Sequence, residues 1–175
     1  MQQAWMKCKR SLWKGIVAGA AGGLVASWVM GQFHGVASKT SEKLMPKDTF
    51  RELQRAAADA QEATAKVAER VLGRRLRSSE RERAKPIVHY AFGSAVGAIY
   101  GTSAEYIPFV RKFAGAPFGA AVFAGADQFA LPALNLTKKP PEYPLAMHGA
   151  ELGSHIVYGM TLEGVRKLVR KFLRG

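Results

Sequence analysis

Glycine recurs every fourth residue inside four apolar segments, and this constrains the chain more than any other feature. Residues 15–33 carry Gly15, Gly19 and Gly23; residues 86–107 carry Gly93, Gly97 and Gly101. Residues 113–134 carry Gly115 and Gly119, and residues 145–165 carry Gly149 and Gly153. Positions four apart lie on one face of a helix, so each set forms a smooth strip along which another backbone can approach closely. In water, glycine in a helix interior costs about 1 kcal/mol against alanine. The pattern therefore argues for helices packed together in lipid, where close backbone contact replaces the hydrophobic drive.

The mean hydropathy of -0.07 hides a partition. Half of the 26 lysines and arginines lie between Lys39 and Lys85, and most of the others flank the apolar segments. At 1.5 Å per residue, a segment of about 20 residues crosses a hydrocarbon core. Trp13 and Trp28 stand near the ends of the first segment, as interfacial aromatics do. The basic start before it resembles a signal peptide, but the apolar stretch has the length of a full span, which favours an uncleaved helix. The net charge of +13 points to lipid headgroups rather than nucleic acid, because the basic residues bracket the apolar runs. Cys8 is the single cysteine and has no internal disulfide partner.

Residues 34–85 read as a polar helical loop. Asp48 suits a helix cap, and an alanine-rich stripe through Leu53, Ala56, Ala57, Ala60, Ala63, Val67 and Val71 suits shallow packing. Gly73 is placed at the end of that helix, and Ser79 with Glu82 reads as a capping box that starts another. The second span then runs from Pro86 to about Ile107. Residues 165–175 read as a separate basic amphipathic tail. Val165, Leu168, Val169, Phe172 and Leu173 share one face; Arg166, Lys167, Arg170, Lys171 and Arg174 occupy the other and are assigned to lipid headgroups. Four spans place both termini on one side; the lysines and arginines are divided too evenly between the two sides to fix the orientation by count, and the purely basic tails favour the cytoplasm for the termini.

Five ionisable residues stand inside the apolar segments: His89, Asp127, His148, Glu151 and His155. Alternating helix direction gathers all five in the half nearest the polar loop. His148, Glu151 and His155, at i, i+3 and i+7, fall within about 60° of one another. A charge inside a membrane costs at least about 2.5–3.5 kcal/mol, so these groups must pair, bind an ion or pass protons. Structural pairing ranks first and a proton or ion relay second. A zinc or iron site ranks third, because no twin E-x-x-H pattern is present. No metal or cofactor is assigned. Glu105 and Glu163 are expected to form interfacial ion pairs with Arg111, Lys112 and Arg166.

There is no P-loop, Rossmann fingerprint or nucleophile elbow, so no enzyme activity is assigned. The strings KVAERVLGRRL, HYAFGSAVGAIYG, FGAAVFAGADQFALPALNL and SHIVYGMTLEGVRKL resemble the YagU-like family of small bacterial inner-membrane proteins, over about Gly15 to Leu173. That resemblance implies a multi-pass protein of the bacterial plasma membrane and carries no established activity. The expected architecture is all-α: a single membrane domain, 1–175, forming a polytopic helical bundle of four glycine-rich spans plus amphipathic segments. The expected function is a structural, assembly or accessory subunit whose partners are the bilayer, other membrane subunits or a second copy. The alternative is a proton, ion or small-solute transporter using the polar cluster.

Overall fold

The computed structural model describes residues 2–173, with side chains described from residue 12 onward. The described chain is all-α. It comprises α1 (Gln2–Leu44), α2 (Lys47–Leu72), α3 (Ser78–Tyr106), α4 (Ala116–Val122), α5 (Leu131–Ala133) and α6 (Leu145–Phe172). A 3₁₀ segment, Pro108–Gly115, joins α3 to α4, and a π-helical segment, Phe123–Ala130, joins α4 to α5. Among the described residues, one helix is long and apolar enough to cross a membrane, at Leu12–Leu44 with a mean hydropathy of 1.4. The remaining apolar segments are also helical, the third of them divided among short 3₁₀, α- and π-helical pieces.

α1 lies between α3 and α6 and is antiparallel to both. Its buried face is Gly15, Ala18, Gly19, Gly22, Gly23, Ala26, Ser27 and Met30, small at every position but the last. Such a face admits a helix on each flank. On the α3 side, Gly15 meets Gly101, Gly19 meets Gly97 and Gly101, and Gly23 meets Gly93 and Gly97. On the α6 side, a Cβ added to Gly22 would sit 2.9 Å from the Leu162 carbonyl oxygen, and Gly153 faces the Phe33 ring. α4 packs on α6 in the same manner: Gly115 meets Gly159, and Gly119 meets His155 and Gly159. The apolar core between these seams is Ala26, Met30, Tyr100, Ala104, Tyr158 and Leu162. The Phe118 ring lies 4.6 Å from that of Tyr100.

Several sequence boundaries need correction. The polar helix expected at Ser79 and the span expected at Pro86 are one helix, with Pro86 inside it. Its start is held by Glu80, whose carboxylate accepts the Arg77 backbone N–H at 2.8 Å, rather than by Ser79 and Glu82. Proline removes one helical hydrogen bond, but Arg81 and Lys85, on the N-terminal side of Pro86, are ionically tied to α2, and the helix continues. The third apolar segment does not begin as a helix at Phe113. Phe113 and Ala114 have φ of 52° and 53°, a left-handed conformation that non-glycine residues seldom adopt. The α-helix starts at Ala116, behind Gly115 at φ 84°. The basic tail is not a separate helix, since α6 runs unbroken from Leu145 to Phe172.

α2 folds back after Pro46 and ends at Gly73, which takes φ 65°, the left-handed close that glycine permits without a Cβ clash. Its alanine face is turned inward, with Ala56, Ala63, Ala65 and Ala68 buried. Lys85 reaches Glu62, and Arg81 reaches both Glu62 and Glu69, fastening α2 to α3. Lys66 Nζ donates to the Leu136 carbonyl at 3.0 Å, and Lys138 pairs with Asp59. α2 is thus fixed over the loop that leads into α6.

Candidate functional site

Asp127 lies in the π-helical segment. A π turn takes in an extra residue and rotates the residues beyond it, and such turns are frequent at functional sites. Here the segment turns Asp127 towards α6, where its Oδ2 lies 3.5 Å from His155 Nε2. Glu151 stands one turn before His155 on α6. Its backbone carbonyl lies 2.9 Å from His155 Nδ1. A carbonyl oxygen can only accept, so that contact is made by an Nδ1–H, and Nε2 is the ring nitrogen turned towards Asp127. The donor atoms of Asp127, Glu151 and His155 all lie within 4.8 Å of one another.

His34 joins this group, with Nε2 3.7 Å from Glu151 Oε2. By sequence alone His34 falls in the polar loop. A signal for its inward position is nonetheless present: from Gly23 the buried face of α1 steps through Ser27 and Met30 to His34, the spacing of one continuous seam. Two residues of the expected cluster stand apart from it. His89 Nε2 is 3.3 Å from the Ser27 carbonyl, and His148 Nε2 is 2.9 Å from the Pro140 carbonyl. Each is committed to backbone.

These groups line a chamber of about 670 Å³. Its wall is mostly apolar, with Met30, Phe123, Val96, Leu131 and Met147 among its residues. His34, His89, Asp127, His148, Glu151 and His155 all reach it, and α2 roofs it with Ala57, Ala60, Ala63 and Thr64. Thr137, also on the wall, has a buried hydroxyl with no hydrogen-bond partner. Tyr158 is part of the wall, its hydroxyl donating to the Gly93 carbonyl at 2.6 Å. Among the described residues, no lysine or arginine is paired with Asp127 or Glu151; both face histidines.

The expected packing glycines divide into two groups. Gly15, Gly19, Gly23, Gly93, Gly97, Gly101, Gly115 and Gly119 sit where a Cβ would meet another helix's backbone or a close side chain. Gly153 has ordinary contact with Phe33, and Gly149 has nothing within 4 Å, so neither belongs to a tight seam. Gly22 and Gly159, which the four-residue pattern omitted, take part instead.

The headgroup assignment needs correction as well. Arg166 is 4 % exposed and donates to Glu163 through Nε at 2.6 Å and Nη2 at 3.0 Å. Arg170 donates two bonds of 2.7 Å to Glu105. Both arginines turn inward because two carboxylates stand inside the bundle at that end. Lys167 and Lys171 are exposed, with Lys167 Nζ 3.4 Å from Glu163. Arg174 lies outside the described residues. Arg111 and Lys112 are exposed on the joining segment and leave the ion network to Arg166 and Arg170.

A family model described as protein of unknown function (DUF1440) matches residues 39–164. The chain belongs to this family. The matched stretch spans α2, α3, the π-helical segment and α6 as far as Gly164, and so includes Asp127, Glu151 and His155. The His34 corner of the cluster and the α1 glycines precede it. No curated protein matches the chain, and no solved structure matches it.

Proposed function

We propose that the chain is a multi-pass protein of the bacterial plasma membrane, in which all four apolar segments span the bilayer, and that it conducts protons or a small cation through the chamber. The membrane part is supported by the outer surface of the bundle. Leu24, Val25 and Trp28 on α1, Phe92 and Ile99 on α3, Phe129 on the π segment and Met160 on α6 are all exposed. Exposed apolar surface spread over four elements of a bundle calls for a covering of lipid or partner. The bacterial location is drawn from the resemblance to YagU-like inner-membrane proteins.

The observation that carries the transport reading is the meeting of Asp127, Glu151, His155 and His34 on one chamber wall. Polar and ionisable groups held inside a membrane mark ion and proton paths. The accessory-subunit reading requires glycine strips free to dock a partner. Eight of those ten glycines are taken up in contacts within the chain, which weakens its main argument. Binding here needs no bond-making chemistry, only a wall that accepts a cation and a path that releases it.

The test uses the protein reconstituted into vesicles loaded with a pH-sensitive dye. An imposed pH gradient should collapse faster with the wild type than in protein-free vesicles. His155→Ala combined with Asp127→Asn should return the rate to that of protein-free vesicles. Wild-type vesicles no leakier than empty ones, or equal flux in the double variant, would overturn the reading.

A further inference from the structure

The geometry points to a binding site for one divalent first-row transition-metal ion, of the zinc type, formed by Asp127, Glu151 and His155 with His34 as the fourth donor. This inference rests on reading the chamber as a cation space and names the class of cation it holds.

The donors come from three separate elements: α1, the π-helical segment and α6. Their convergence is therefore tertiary and does not follow from the spacing of neighbours along one helix. Two donors bound tetrahedrally to a zinc ion, each at about 2.0–2.2 Å, lie about 3.4 Å apart. The His155–Asp127 separation of 3.5 Å and the His34–Glu151 separation of 3.7 Å are close to that edge. The wider separations among Asp127, Glu151 and His155, up to 4.8 Å, close by rotation of the carboxylates about their terminal bonds, and His34, outside that trio, reaches the ion from its place beside Glu151. Two imidazoles with two carboxylates make a mixed nitrogen and oxygen set. Calcium and magnesium favour oxygen alone, whereas zinc and its first-row neighbours take this mixture.

A second observation concerns the support behind the donors. Histidine ligands ordinarily donate the far ring N–H to a carbonyl or carboxylate, which sets the tautomer and aims the other nitrogen at the metal. His155 does this with the Glu151 carbonyl. Ser154 donates to the same carbonyl at 2.7 Å, holding the first turns of α6 in place. Charge gives a third reason. Asp127 and Glu151 are brought together inside a largely apolar chamber with no lysine or arginine paired to either among the described residues. A divalent ion neutralises two such carboxylates at once.

The test uses protein purified in detergent without a histidine tag. It is stripped with chelator and then titrated with Zn²⁺ or Co²⁺. The expected result is one ion per chain, with a visible Co²⁺ absorption of four-coordinate character. Asp127→Asn and Glu151→Gln, which preserve side-chain shape, should each weaken binding at least about tenfold, with helical circular dichroism unchanged. Sub-stoichiometric metal in the folded wild type, or wild-type affinity in both variants, overturns the site. Metal binding without vesicle flux supports the site and removes the transport reading; flux without metal binding does the reverse.

Discussion

Gly97 of α3 lies against Gly19 of α1, so close that a Cβ on either would strike the other's carbonyl oxygen. A Cβ on Gly97 would also come 2.8 Å from the Gly23 Cα. The atoms in the way are backbone and cannot rotate aside. We therefore expect Gly97→Leu to separate α1 from α3 and lower stability by at least about 3 kcal/mol, at the upper end of the usual overpacking cost. Gly149→Ala is the opposite case. Nothing lies within 4 Å of Gly149, and alanine restores about 0.5–1 kcal/mol of helix preference. Thermal unfolding in detergent should move in opposite directions for the two. A Gly97→Leu protein as stable as the wild type would refute the seam.

The far end of the bundle holds a buried ionic network. Glu163 is 0 % exposed and accepts from Arg166 and from the Tyr100 hydroxyl at 3.0 Å. Removing one member of a buried pair leaves the other charge uncompensated, at a cost of about 3–5 kcal/mol. Glu163→Ala should lose about that much. Adding Arg166→Met should recover most of it, because the stranded charge is then gone. A double-mutant cycle reads the coupling directly. Additive losses would mean that the two side chains act independently.

The roof should respond to acid. Lys85, then Arg81, hydrogen-bond Glu62 and lower its pKa from 4.5. The Arg74 side chain, then the Arg77 backbone, push Glu80 down to about 2. Carboxylates depressed on folding stabilise the fold above their unfolded value and lose that contribution as pH falls through the folded one. The attachment of α2 should therefore be constant above about pH 5 and weaken progressively from about 4.5 towards 2. Hydrogen exchange of the Lys47–Leu72 amides, corrected for intrinsic rates, should speed up in that window before exchange in α1 and α6. Uniform protection of α2 down to about pH 2 would contradict this.

Much is legible from local pattern. Helices follow from composition and spacing, and Gly73 and Pro108 mark real ends because glycine and proline act on the backbone where they stand. Pro86 misleads as a boundary, since a proline weakens a helix locally while contacts from another element can carry the helix through. His34 escapes notice because the first apolar segment reads as ending at Phe33, one residue short of it, whereas α1 continues to Leu44 and carries His34 on the same buried face. Arg166 reads as a lipid-facing residue because a helical wheel shows which face a residue shares and is silent on what waits opposite that face.

The sequence by itself determined the all-α character, the apolar first helix and the small faces that permit close packing. These depend on neighbours within a turn or two, where spacing and side-chain size act directly. Tertiary structure alone decided which glycines meet, that Arg166 and Arg170 turn inward to Glu163 and Glu105, and that Asp127, Glu151, His155 and His34 share a wall. Those outcomes depend on how helices far apart in the chain are rotated about their axes, including the π turn at Asp127. That rotation is set by the backbone contacts of the whole bundle together, and no single segment encodes it.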